Sequence, residues 1–112
     1  MTSNSQSAND AAGQTPEPLQ TLAGYLERSL DKATSIVMIR HTRDACTVYL
    51  GDPAGPSEEL KQVGTMTTSL ANSLLEATAS GVNQIQIGDQ SYRFVRSFTQ
   101  VGEMAAVVFA AD

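Results

Sequence analysis

The sequence has no tryptophan, one cysteine, one histidine and only 7 basic residues, and each shortage removes a class of function. A single thiol leaves no partner for an internal disulfide, and the alternating setting of Cys46, ACTVYL, reads as a packing residue in a reducing compartment and not as a nucleophile. His41 has no second histidine or further cysteine with which to build a metal cluster, so neither a metal site nor a catalytic imidazole is expected. The 7 Lys plus Arg stand against 12 Asp plus Glu, a net charge of −5. A surface of that sign repels phosphate backbones, so nucleic acid and anionic membrane are not expected as partners. No apolar run approaches the ~20 residues of a membrane helix. The start, MTSNSQSANDAAGQTPEP, has neither the basic opening nor the apolar stretch of a secretion signal, so a cytoplasmic protein is expected. Aromatics are 5%, which leaves the core to Leu, Ile, Val, Met and Ala with a few Phe and Tyr.

What is present is enough for one compact core, since a chain of 112 residues buries roughly two thirds of its unfolded surface. Residues 1–17 carry no aliphatic side chain beyond Met1 and alanines and read as a disordered tail, leaving 18–112 as the domain. Leu19, Leu22, Leu26 and Leu30 follow at steps of three and four, an amphipathic helix with Glu27, Arg28, Asp31 and Lys32 on its solvated side. Ile36 to Ile39 form an uninterrupted apolar run rich in β-branched residues, the pattern of a central strand covered on both faces. Ala45 to Leu50 alternate, with Cys46, Val48 and Leu50 on one side and Thr47 and Tyr49 on the wetter one.

GDPAGP follows as a connector: it has glycines but no lysine, and no strand-to-helix phosphate fingerprint. Ser57 with Glu58 and Glu59 then looks like the capped, acidic start of a second helix, its stripe running through Leu60, Val63, Thr67, Leu70, Leu74 and Thr78 to a stop at Gly81. Gly64, Ala71 and Ala77 make that helix shallow, and Met66 and Leu75 lie off its stripe, more apolar surface than one sheet face needs. Adjacent glutamates fall on different helix faces, so Glu58 and Glu59 read as helix-start charges and not as a catalytic pair. No residue emerges as a catalytic group or as a cofactor or metal ligand.

The end of the chain is two alternating runs, Val82 to Ile87 and Tyr92 to Phe98, joined by Gly88-Asp89, then a second uninterrupted apolar run from Met104 to Ala110. Arg93 and Arg96 read first as solvated strand charges and second as a contact for an acidic partner. Placing the two fully apolar strands at the middle gives a five-stranded antiparallel sheet in the order 2-1-5-4-3 with two helices, an α/β (α+β) sandwich. In that order the strand at 82–87 is an edge that neither proline nor lysine blunts. An open edge beside a shallow helix makes Leu70, Ala71, Leu74, Val82, Gln84, Ile85, Gln86 and Ile87 the candidate dimer interface.

This order of elements, with LANSLLEATASGVNQIQIGDQSYRFVRSFTQVGEMAAVVFAAD, resembles the roadblock/LC7 family over residues 18–111. That resemblance implies a roadblock/profilin-like sandwich that dimerises, with itself or with another roadblock-like chain, through the second helix and third strand. It also implies a role without chemistry, as a scaffold or regulator of small Ras-like GTPases. Family members often end with a third helix, which does not follow the last strand in this sequence. The alternative is an acidic, cytoplasmic, dimeric secretion chaperone; such proteins typically place three strands between their first two helices, and this sequence is read as placing two. A ligand-sensing domain of profilin or PAS-like shape would need a pocket of convergent polar groups, for which the sequence gives no sign.

Overall fold

The computed structural model describes residues 16–112. The expected disordered tail therefore lies outside the described residues except for Pro16 and Glu17, which open the first helix. That helix, α1 (Glu17–Lys32), buries Leu22, Ala23, Leu26 and Ser29. Leu30, the last member of the predicted stripe, is 53% exposed instead. Ser29 is fully buried in its stead, its hydroxyl donating to the Leu26 carbonyl at 2.8 Å, so the polar group enters the core with its hydrogen bond made.

The helix closes in a Schellman motif: the Thr34 amide donates to the Ser29 carbonyl and the Ala33 amide to the Leu30 carbonyl. Ala33 occupies the left-handed position there at φ 52°, a conformation that glycine adopts without the Cβ clash. Because Ala33 is exposed, Ala33→Gly should stabilise the fold by about 0.5–1 kcal/mol, measured by urea denaturation.

After α1 the chain forms β1 (Ser35–Arg40), β2 (Ala45–Gly51), a short 3-10 turn at Ser57–Glu59, and β3 (Lys61–Thr67). Then come α2 (Thr68–Glu76), β4 (Gly81–Ile87), β5 (Gln90–Val101) and β6 (Met104–Ala111). Among the described residues these strands make one sheet of six strands in the order β3-β2-β1-β6-β5-β4, with every neighbouring pair antiparallel. The fold is α+β with two helices, but the five-stranded sheet expected from the sequence is corrected to six. The five expected strands keep their mutual order, and β3 is added outside β2.

The additional strand comes from the first half of the expected second helix. Residues 61–67, KQVGTMT, hold the β-branched Val63, Thr65 and Thr67 and the helix-weakening Gly64, so local propensity favours extension. Gly64 also lies under Tyr25 of α1, whose hydroxyl would overlap a Cβ at that position. The three-and-four spacing of Leu60, Val63 and Thr67 is thus no helical stripe. Thr67 is instead the N-cap of α2, its Oγ1 accepting from the Leu70 amide at 3.1 Å. Met66, expected off the helical stripe, is buried in the core from β3, and Gly81 opens β4 and does not serve as a helix stop.

Both helices cover the same face of the sheet. Leu22 and Leu26 of α1 and Ala71 and Leu74 of α2 meet Ile36, Met38, Cys46, Val48, Phe94 and Phe109 there in one core. On the opposite face Val37, Ile39 and Ala106 form a smaller apolar layer against Tyr49, Leu60, Val101 and Met104. All four residues from Ile36 to Ile39 are at most 5% exposed, as an apolar run shared between two faces requires.

Candidate functional site

The sheet ends in β3 on one side and β4 on the other, and the two edges differ. Opposite Val48 and Tyr49 the β3 register skips Val63, a bulge residue whose carbonyl accepts from the Arg28 guanidinium at 3.4 Å. With Lys61 at its start and Gly64 at its centre, β3 carries several of the devices that prevent strand addition. None of these occurs on β4. Its seven residues pair with β5 without interruption, from Gly81 opposite Arg96 to Ile87 opposite Gln90.

Hairpin geometry decides which β4 groups are free. The turn consists of Gly88 and Asp89 alone, and Gly88 sits at φ 60° while Asp89 does not have positive φ, the pattern of a type II′ turn. Residues flanking a two-residue turn form a hydrogen-bonded pair, so Ile87, Ile85 and Asn83 direct their main-chain groups to β5. The amides and carbonyls of Val82, Gln84 and Gln86 therefore face outward. The side chains of these same three residues are exposed on the sheet face away from the helices, Val82 at 58%, whereas Ile85 and Ile87 pack half-buried against the core.

The strand is held at its start. Asn83 grips the preceding loop, its Nδ2 donating to the Ala79 carbonyl at 2.6 Å and its Oδ1 accepting from the Ala79 amide at 2.8 Å. Arg96 of β5 ties down the end of α2, donating to the carbonyls of Leu75 at 2.8 Å and Thr78 at 3.0 Å and to Thr78 Oγ1 at 2.9 Å. A cation at the C-terminal carbonyls of a helix is favoured by the helix dipole. Arg96, which the sequence presents as a solvated strand charge, is a structural clamp, and it also lies 5.8 Å from the ring centre of Phe98. Arg93 pairs with Asp112 at 2.7 Å on the surface. From α1, Glu27 accepts a hydrogen bond from the Tyr92 hydroxyl, which holds that phenol above its ordinary pKa because the neutral form is the donor.

The expected interface residues do not all gather at this edge. Val82, Gln84, Ile85, Gln86 and Ile87 lie along β4, but Ala71 and Leu74 are 2% and 1% exposed and committed to the chain's own core. Leu70 is half-buried beside them. Of the two helices α1 packs the more closely on β4, while α2 packs mainly on α1, β2 and β3. The free main chain of β4 depends on an alternation visible in the sequence, and Leu74 lies on the helix stripe that reads most simply as core; β3 is the element the sequence reading missed.

The residues considered for chemistry are scattered. His41 is exposed in a loop with Nε2 2.9 Å from the Tyr49 hydroxyl, Cys46 is a buried free thiol, and Glu58 and Glu59 sit exposed in the 3-10 turn. Among the described residues no group of three or more His, Cys, Asp or Glu could hold a metal ion, and no helix is long and apolar enough to cross a membrane. No family model, curated protein or solved structure matches the chain with significant similarity.

Proposed function

We propose that this chain is a non-enzymatic interaction module that pairs with a second copy of itself, or with a chain of the same fold, through β4. The observation that carries the reading is the contrast between the two sheet edges: β3 is bulged and carries lysine, whereas β4 is regular, unblunted and anchored at its start. Two such strands meeting antiparallel satisfy each other's outward amides and carbonyls and continue the sheet across both subunits. The roadblock-like resemblance adds a scaffold that regulates a small Ras-like GTPase, in a cytoplasm that keeps Cys46 reduced.

A second reading, the acidic dimeric secretion chaperone, is favoured by β3. Three strands separate α1 from α2, the number typical of that class, where the sequence pattern alone suggests two. Both readings require a dimer and no chemistry, so the first test is common to them. Static light scattering at micromolar concentration should give about twice the chain mass of 11.9 kDa. A mass of one chain throughout the concentration range overturns the pairing of β4 with a second copy and leaves only a different chain of the same fold as its partner. Capture on the immobilised chain then separates the two: a small GTPase supports the scaffold, a secreted substrate the chaperone.

A further inference from the structure

We infer that the cleft between the last turns of α1 and β3 binds an acidic, aliphatic peptide segment of a partner protein. The inference deepens the reading of the chain as an interaction module and rests on it for the choice of a protein ligand. Arg28, Lys32 and Lys61 converge there with Asp31 on a cleft of about 390 Å³ whose apolar side includes Leu50 and Val63. These are three of the 7 basic residues in a chain of net charge −5. The ion pair found among the described residues is Arg93–Asp112, on β5 and the residue after β6, so the three cations of the cleft have no described carboxylate within ion-pair distance.

The dipole of α1 accounts for cations in its last turn, but Arg28 and Lys32 are one helical turn apart and repel each other, and Lys61 is brought against them from a different element. Arg28 spends one donor on the Val63 carbonyl, which orients the guanidinium and leaves its other N–H groups for a planar carboxylate. Net charge excludes a polyanion from the molecule as a whole, while this local excess accepts single carboxylates. A strand alternating glutamate with leucine presents carboxylates to the cations on one side and aliphatic groups on the other, chiefly to the half-buried Val63, since Leu50 is only 7% exposed.

The test is an amide-shift titration of the full chain with an acetylated, amidated hexapeptide alternating glutamate and leucine. Expected are saturable shifts at Arg28, Lys32, Lys61 and Val63 that weaken with salt. Binding should be about tenfold weaker or worse both for the glutamine-leucine peptide and for the Lys32→Glu, Lys61→Glu double variant. Both lysines are exposed, and Lys32→Gln with Lys61→Gln repeats the test should charge reversal disturb the fold. The inference is overturned by the absence of saturable shifts at those residues, by equal affinity for the glutamine peptide, or by the same shifts from hexanoate at equal concentration, which would make the cleft a small-acid site. Sedimentation of the same samples separates the failures: a dimer that ignores the peptide overturns the cleft alone, and a monomer that binds it overturns the self-pairing of β4 alone.

Discussion

Phe94→Ala should lower the free energy of unfolding by about 3–5 kcal/mol, the cost of a large buried cavity in a domain with little stability to spare. Phe94 is 0% exposed at the centre of the helix-covered face, edge-on to Phe109 with ring centres 5.9 Å apart. With no tryptophan and three phenylalanines in the chain, this pair supplies most of the aromatic packing in the core. Phe98 lies on the same side of the same strand, yet is 63% exposed, so Phe98→Ala should change stability by less than about 1 kcal/mol. Urea denaturation of the two variants checks both values. Equal losses would mean that the far end of β5 is buried, contrary to the packing described.

The contrast between these two residues marks where sequence pattern stops being informative. Period-two alternation puts Tyr92, Phe94, Arg96 and Phe98 on one side, and they share it; alternation does not say where along the strand the helices end. The apolar runs 36–39 and 104–110 are legible as central strands because only coverage on both faces tolerates them, and β1 and β6 do pair at the middle. The strand at 82–87 is legible as an edge by the same ordering.

The segment 57–67 was not legible, since Leu60, Val63, Thr67 and Leu70 satisfy helical spacing across a boundary where the backbone changes from strand to helix. The contradicting signal was local, three β-branched residues and a glycine in seven positions, and a longer apolar stripe outweighed it. The length of the second helix bears on the candidate interface. A long second helix has spare apolar surface for a partner, whereas the nine residues of α2 spend Ala71 and Leu74 on the core. The cleft of Arg28, Lys32 and Lys61 was hidden for the same reason, because Lys61 joins the other two through β3 alone.

Proline at Gln84 or Gln86 should abolish the dimer and leave the subunit folded, because both amides point away from β5. Proline removes one donor and sets a ring on the outer edge, where it costs the hairpin no main-chain hydrogen bond, and at position 84 only the exposed 3.4 Å contact from the Gln84 side chain to Ser91 Oγ. At Ile85 the amide points inward, so Ile85→Pro should break the β4–β5 ladder opposite Tyr92 and lower stability by about 3 kcal/mol or more. Light scattering paired with circular dichroism then gives a pattern of period two along one strand: folded monomer at 84, damaged fold at 85, folded monomer at 86. Gln86→Thr keeps the amide and should remain dimeric, which separates loss of the main-chain donor from loss of the glutamine side chain. Dimers that survive proline at both outward positions, with native circular dichroism, would mean that subunits do not meet at β4.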